Sequence, residues 1–296
     1  MRKALSMFAF VGWLAGCLPT LAQEAAEPEG MAMEEEAEAE PSVEIGADVA
    51  LFSRYMFWGL TLSNRPVWQP DVWLYTHGFT FTIWANGEFE KDEGGDDYTS
   101  GGSRTGITEI DYSLEYGHTF GAVDGAFGVV RWTYDEDNTG VLGPYAPEDL
   151  PPGFENGPDL DSTEIYTSWT WSEAFLGPNV TLYYDVDLYQ GLFGWVSVSH
   201  DVPVQSTAVT LGALAGFSVG QSDTGSEDLP LYQDEGLTHL ELSASMEFAA
   251  GATTIAPVVL AQYCIDEFTQ TTSATEFDDE FVFTAGLTLS WSAGLG

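Results

Sequence analysis

Residues Glu280–Trp291 read EFVFTAGLTLSW, and the two parities of this stretch differ in kind. Phe281, Phe283, Ala285, Leu287, Leu289 and Trp291 form one series, while Val282, Thr284, Gly286, Thr288 and Ser290 form the other. Period-2 alternation is the mark of a β-strand with unlike surroundings on its two faces. A strand of a soluble sandwich satisfies it, and so does a strand with lipid on one side and water on the other.

The rest of the chain separates these options. From Val43 onward similar runs recur near 43–56, 67–75, 79–89, 107–118, 122–134, 163–172, 179–189, 192–200, 206–219, 237–249, 252–264 and 279–292. That is about twelve strands, each long enough for the roughly 9–11 residues of a tilted membrane strand and long for a sandwich. Their connections alternate. Thr76-His77-Gly78, Phe120-Gly121, residues 173–178, residues 201–205 and Ala250-Gly251 are brief. KDEGGDDYTSGGSRT at 91–105, the stretch 135–161, QSDTGSEDLPLYQDEG at 221–236 and DEFTQTTSATEFD at 266–278 are long and polar. The connections near 60–66 and 190–191 depart from this sorting by being short. Short turns on one rim and long loops on the other describe an outer-membrane barrel with both termini on the periplasmic side. In hydrocarbon every backbone group needs a partner, so the expected fold is all-β: a closed antiparallel up-and-down transmembrane barrel. Pro70 and Pro257 fall inside expected strands and predict a bulge or a boundary there.

The flanking segments fit export. MRKALSMFAFVGWLAGCLPTLAQ has the basic start, short apolar run and small residues of a secretory signal over residues 1–22. Thr20-Leu21-Ala22 suits ordinary cleavage, and Leu14-Ala15-Gly16-Cys17 also suits a lipid-modified Cys17. Ordinary cleavage leaves Cys264 as the one mature cysteine and no intrachain disulfide. Residues 23–42 are an acidic, alanine-rich linker, and 43–296 are the barrel.

Across 296 residues the formal charge is −40, from 47 acids against 7 basic residues. This argues against nucleic acid as a partner and against a polybasic membrane patch. An aromatic share of 14% argues against a disordered acidic chain. With the apolar parity toward lipid, the inward set carries Asp48, Asp71, Glu88, Glu109, Asp111, Glu115, Asp185, Asp187, Glu241 and Glu247, opposed by Arg54 and Arg131. The opposite assignment would place Asp111, Asp187 and Glu241 in hydrocarbon, at a cost of kilocalories each. Carboxylates around a lumen favour cations. They equally solvate a plugged interior, or adapt a surface to saline water. Trp68, Tyr75, Trp132, Tyr134 and Trp171 near strand ends are candidates for interfacial girdles, with ordinary core as the alternative.

The stretch SRYMFWGLTLSNRPVWQPDVWLYTHGFTFTIWAN resembles the TorF-family porins, with Ser53, Tyr55, Gly59, Pro66, Gln69, Gly78, Phe79, Trp84 and Asn86 carrying the likeness. Glu109-Ile110-Asp111 followed by Tyr116-Gly117 is similar to a further strand of that family. The resemblance covers roughly residues 43–120 and is architectural beyond them. It implies an outer-membrane barrel with channel activity and an undefined substrate. Trp58 stands where that family usually has Arg, and the chain ends in Ser292-Ala-Gly-Leu-Gly296 rather than in an aromatic residue, with Trp291 as a substitute.

The function expected from these features is passive diffusion of small solutes, preferring cations, with loop 135–160 as a candidate constriction. The expected partners are outer-membrane lipids, the barrel assembly machinery and small solutes or cations; no cofactor is expected. A structural or adhesive barrel, an outer-membrane phospholipase and an exported ligand-binding sandwich are the alternatives. Catalytic residues are not expected, because His77, His118, His200 and His239 lack a Ser and an Asn or Asp at triad spacing. DEDNTG at 135–140 has the start of a calcium loop but Ala146 where the closing Glu belongs, so no specific metal site is expected. DEGGDD at 92–97 and EFDDE at 276–280 suit loose divalent binding.

Overall fold

A computed structural model describes residues 43–89, 106–134, 161–221, 232, 234–266 and 280–295. The signal at 1–22, the linker at 23–42, loop 135–160 and the acidic runs 92–97 and 276–279 lie outside the described residues. Every regular element among the described residues is a strand. They are β1 (Val43–Phe52), β2 (Tyr55–Phe57), β3 (Leu60–Ser63), β4 (Val67–Thr76), β5 (Phe79–Glu88), β6 (Ile107–Phe120), β7 (Val123–Tyr134) and β8 (Ser162–Thr170). They continue with β9 (Asn179–Asp185), β10 (Leu192–Val204), β11 (Thr207–Val219), β12 (Gly236–Met246), β13 (Phe248–Ala250), β14 (Thr253–Cys264) and β15 (Phe281–Leu295).

Sequence neighbours pair antiparallel from β4 through β12, and β1 lies between β4 and β15. The β12–β14 pairing joins the two ends of this order, so the sheet closes on itself. β12 and β13 are two halves of one wall strand: Ser245 opposite Val258 and Phe248 opposite Ile255 keep one register across Glu247. The result is a closed twelve-stranded antiparallel barrel. Pro257 sits at that break, where a residue without an N–H removes a ladder bond. Pro70 pairs with Val49 on one side, and the ladder to β5 skips Gln69 and Pro70. Neither proline shifts the register, so both act as local gaps rather than bulges.

Two real bulges occur elsewhere in the wall. Thr108 is the extra residue between the Asn86–Glu109 and Gly87–Ile107 pairs, and Thr238 plays the same part between Gly216–His239 and Phe217–Leu237. A bulge sends two successive side chains to one face. Thr108 and Glu109 are therefore both buried, as are Thr238 and His239.

The faces follow the parity of the opening stretch. Phe283 is 68% exposed and Leu242 64%, whereas Val282 between two exposed aromatics is 1% exposed. Exposed Val72, Leu114, Ile165, Leu211 and Val259 continue the apolar outer surface around the wall. An apolar face of that extent is far larger than soluble proteins expose, and it suits lipid. The turns at 77–78, 121–122, 205–206 and 251–252 are short and share a rim with Val43 and Leu295, which pair with each other. His77 and Gly78 both have positive φ (51° and 87°), the backbone of a two-residue hairpin turn that matches strand twist.

One expectation fails at the first connection. The strand expected over 43–56 leaves the wall after Phe52, and residues 55–63 form a separate two-stranded sheet, β2–β3. Tyr55, Trp58, Leu60, Thr61 and Ser63 are all buried, on both parities. A hairpin hidden on both sides sits inside the barrel, not above it.

Candidate functional site

The inward hairpin and the wall that receives it form the candidate site. The turn Trp58-Gly59 has φ of 49° and 88°. Positive φ strains a bulky aromatic, so contacts must hold Trp58 there. Its indole stacks on Phe193 (4.4 Å between centroids, 14° between planes) and on Phe57 (4.4 Å, 19°). Trp132 meets it edge-on at 5.7 Å and Tyr183 lies 5.3 Å away. Each such aromatic pair adds about 0.5–1.5 kcal/mol beyond simple burial.

Polar bonds fix the hairpin at three levels. At its base, Ser53 N–H donates to the Ala285 carbonyl (2.9 Å) and Ala285 N–H donates to Ser53 Oγ (3.1 Å). Midway, the Tyr55 hydroxyl donates to Glu109 Oε2 (2.8 Å). At the tip, the Tyr232 hydroxyl donates to the Trp58 carbonyl (2.8 Å) and Gln262 Nε2 donates to the Gly59 carbonyl (2.7 Å). A Cβ on Gly59 would collide with the imidazole of His239, so the close approach requires glycine. The two bulges thus supply the seat: one presents Glu109 to Tyr55, the other presents His239 to the turn.

Across the wall, the register sets inward residues side by side. Asp48 on β1 faces Asp71 on β4, Asp71 faces Trp84 on β5, Trp84 faces Asp111 on β6, and Asp111 faces Trp132 on β7. Glu164 on β8 faces Asp185 on β9. This is a belt of carboxyl groups around part of the lumen, interrupted by indoles. Trp132 Nε1 donates to Glu164 Oε2 (3.0 Å), Trp73 Nε1 donates to Asp48 Oδ2 (3.1 Å), and the Tyr166 hydroxyl donates to Glu115 Oε2 (2.9 Å). Tyr166 reaches Glu115 by lying across Gly128, where a Cβ would strike its ring. Asp185 accepts the Ser162 hydroxyl and the N–H groups of Asp187 and Tyr189.

Asp48, Asp71, Glu88, Glu109, Asp111, Glu115, Asp185 and Glu241 are buried on the inner parity, and Glu247 is half-buried toward the rim of short turns. Two expected lumen residues, Arg131 and Asp187, are elsewhere. Arg131 pairs across the ladder with outward Tyr112 and with Thr163, so it stands on the outer face. It binds Asp187 at 2.8 Å and Asp161 at 3.4 Å. Asp187 lies beyond the end of β9 and is exposed. A long guanidinium stem at the rim can lie on apolar wall while its head pairs with loop acids. Arg54 belongs to the hairpin base, where its Nη1 contacts Asn64 Oδ1 at 3.5 Å. Among the described residues no Lys or Arg pairs with the belt carboxyls. Of the girdle candidates, Trp68 lies on the outer parity and Trp171 is exposed, whereas Trp132 is buried in the lumen and Tyr75 and Tyr134 share the inner parity.

Sequence reasoning missed Glu164, although Ser162, Glu164 and Tyr166 alternate with outward Thr163, Ile165 and Thr167 in the expected way. It also missed Gln262, Tyr232 and the whole aromatic seat. His239 packs against Phe193 (6.5 Å) and shares a hydrogen bond with Thr238, Cys264 is a buried thiol outside any disulfide, and His77 contacts Thr76.

No family model matches the chain, and no curated protein matches it. Among solved structures it is similar to the COG4313 outer membrane channel from Pseudomonas putida F1, at 10% identity over 89% of this chain and 100% of that one, TM-score 0.47. It is similar to LpxR from Salmonella typhimurium at 8% identity over 84% and 99%, TM-score 0.43. OprB of Pseudomonas putida matches at 11% identity over 81% of this chain and 61% of that one, TM-score 0.32. Likenesses this loose carry no argument about activity. The TorF resemblance rests on the motif residues alone.

Proposed function

We propose that this chain is an outer-membrane, TorF-like channel through which small solutes diffuse, with cations favoured, and that it is not an enzyme. The observation that carries the reading is the inner wall. Asp48, Asp71, Asp111, Glu164 and Asp185 line it, and no described basic side chain pairs with them. A wall that only needed filling would be served by apolar side chains, as in small closed barrels. Unopposed carboxyl groups instead set a negative potential that admits cations and resists anions.

The hairpin is the constriction in this reading, in place of loop 135–160. With the hairpin docked, Trp58 fills the space between Phe193 and Trp132. Conduction then needs either water-filled gaps beside the hairpin or its withdrawal. The long loops face outside the cell, and the short turns and both barrel ends face the periplasm. Lipids surround the apolar outer surface, and barrel assembly machinery inserts the chain.

Planar-bilayer recording of the purified protein in a salt gradient tests this. The reversal potential should show cation preference. Anion preference would refute it, as would zero conductance both in the native chain and in a variant lacking the hairpin.

A further inference from the structure

Asp111, Ser113 and Glu115 follow one another on the inner parity of β6 and are 1%, 4% and 3% exposed. Ser113 Oγ and Glu115 Oε1 have no hydrogen-bond partner, and neither does Asp111 Oδ2, although the Asp111 carboxyl also meets that of Glu109 on the same strand. Native interiors rarely leave such atoms unmatched, and Ser113 shows that carboxyl crowding alone is not the reason. The register places Trp84 of β5 and Trp132 of β7 on either side of Asp111, both facing inward and both buried. The Trp132 ring is held by its bond to Glu164. Over this floor lie two hairpin rings: Tyr55, 5.9 Å from Trp84, and Phe57, edge-on to Trp132 at 4.8 Å.

The chemistry of this wall selects among cations. A hard divalent ion needs about six or more oxygens converging on one point. Among the described residues no group of three His, Cys, Asp or Glu side chains converges so. A carboxyl group flanked by two indoles suits instead a weakly hydrated organic cation, attracted by the ring faces as well as by the charge. We propose that the β5–β7 wall binds organic ammonium ions, with Asp111 as counter-ion, Trp84 and Trp132 as flanking faces, and the hairpin as an internal competitor for the same place. This rests on the channel reading and names the solute class its lumen takes. Tyr55 and Phe57 occupy the place when it is empty, so a ligand that binds only the undocked state shifts the hairpin outward.

Cys264 reports that shift. It is 0% exposed, and Gln262 Nε2 bonds both the Gly59 carbonyl and Cys264 Sγ (3.2 Å), so the thiol is one side chain from the hairpin tip. The experiment measures modification of Cys264 by a neutral thiol reagent in the full chain in detergent, at matched ionic strength of tetramethylammonium, sodium or magnesium chloride. Tetramethylammonium should accelerate labelling at least about threefold over sodium, within the range of one or two cation–π contacts. Asp111→Asn should abolish that acceleration while the unheated gel shift of the folded barrel persists. Ser113→Ala, which breaks no hydrogen bond of the wall, should at least halve it, and it serves where Asp111→Asn impairs folding. Equal rates in all three salts, a rate highest in magnesium, or acceleration undiminished in both variants would each overturn the proposal. Conductance separates this from the parent reading. A thiol that responds in a protein that never conducts keeps the site and refutes the channel; a conducting protein without the response refutes the site alone.

Discussion

Replacing Tyr55 with Phe removes one atom from the seat of the hairpin. The ring keeps its packing against Trp84, and only the hydroxyl that donates to Glu109 Oε2 at 2.8 Å is lost. A buried hydrogen bond to a carboxyl group is worth about 1.5–3 kcal/mol when its acceptor is charged. In the withdrawn state the hydroxyl and the carboxyl both meet water, so most of this difference falls on the docked state. At about 1.4 kcal/mol per tenfold, the withdrawn population should rise roughly 10- to 100-fold as long as the docked state dominates. Two readouts follow it: the rate of Cys264 modification and the open probability of single channels. Tyr166→Phe is the matched control. It deletes an equivalent hydroxyl–Glu115 bond of 2.9 Å, but between two wall strands, and should leave both readouts within about twofold of the native chain. If Tyr55→Phe also changes neither readout by more than about twofold, the hairpin is a fixed part of the wall and the gating argument fails.

Trp58→Ala empties the stack between Phe57 and Phe193 and should weaken docking by about 3–5 kcal/mol, raising steady conductance while the folded-barrel gel shift survives. Asp185→Asn should reduce cation preference in reversal-potential measurements, whereas Asp187→Asn should not, because Asp187 pairs with Arg131 on the outside; equal effects would mean that the two share a face after all. Gly128→Val forces the Tyr166 ring away from Glu115 and should lower barrel stability by about 1–3 kcal/mol, read as an earlier loss of the gel shift on heating.

The wall was legible because lipid imposes a rule on it. Most outward positions are apolar, so alternation through Phe79, Phe81 and Ile83 or Leu240 and Leu242 marks strand and face together. The sorting of turn lengths added closure. What resisted reading lies inside, where no such rule applies. Residues 53–57 alternate much as wall residues do, and nothing local says that the chain has turned into the lumen. The bulges at Thr108 and Thr238 each hide a parity step, although Glu109 and Asp111, which follow Thr108, still fell on the correct face. Asp187 sits two residues beyond Asp185, and extending strand parity past the end of β9 carried it inward by error. Arg131, expected in the lumen opposite the acids, stands on the outer parity of β7. Its outward position near the rim, with Asp161 and Asp187 in reach, satisfies it without the lumen.

Six of the nine residues that carry the resemblance share one task, while Gly78 and Phe79 belong to the outer wall and its turn. Ser53 ties the hairpin base to Ala285, Tyr55 bonds Glu109, and Gly59 lets the tip pass beneath His239. Gln69 donates to Asn86, which donates to the bulge residue Thr108 (2.7 Å) beside Glu109. Trp84 packs on Tyr55. The pattern is therefore a hairpin and its seat rather than a generic strand signature, which explains why it spans the first four wall strands and stops. One of the two departures from the resemblance, Trp58 in place of the expected Arg, changes the electrostatics of the lumen. An Arg at the tip would bring its own positive charge among the carboxyl groups. An indole stacked on Phe193 brings none, and the acids stay in place. Among the described residues no Lys or Arg pairs with these buried carboxyl groups, so on the proposed channel reading they either hold a proton or take their positive charge from the solution that enters.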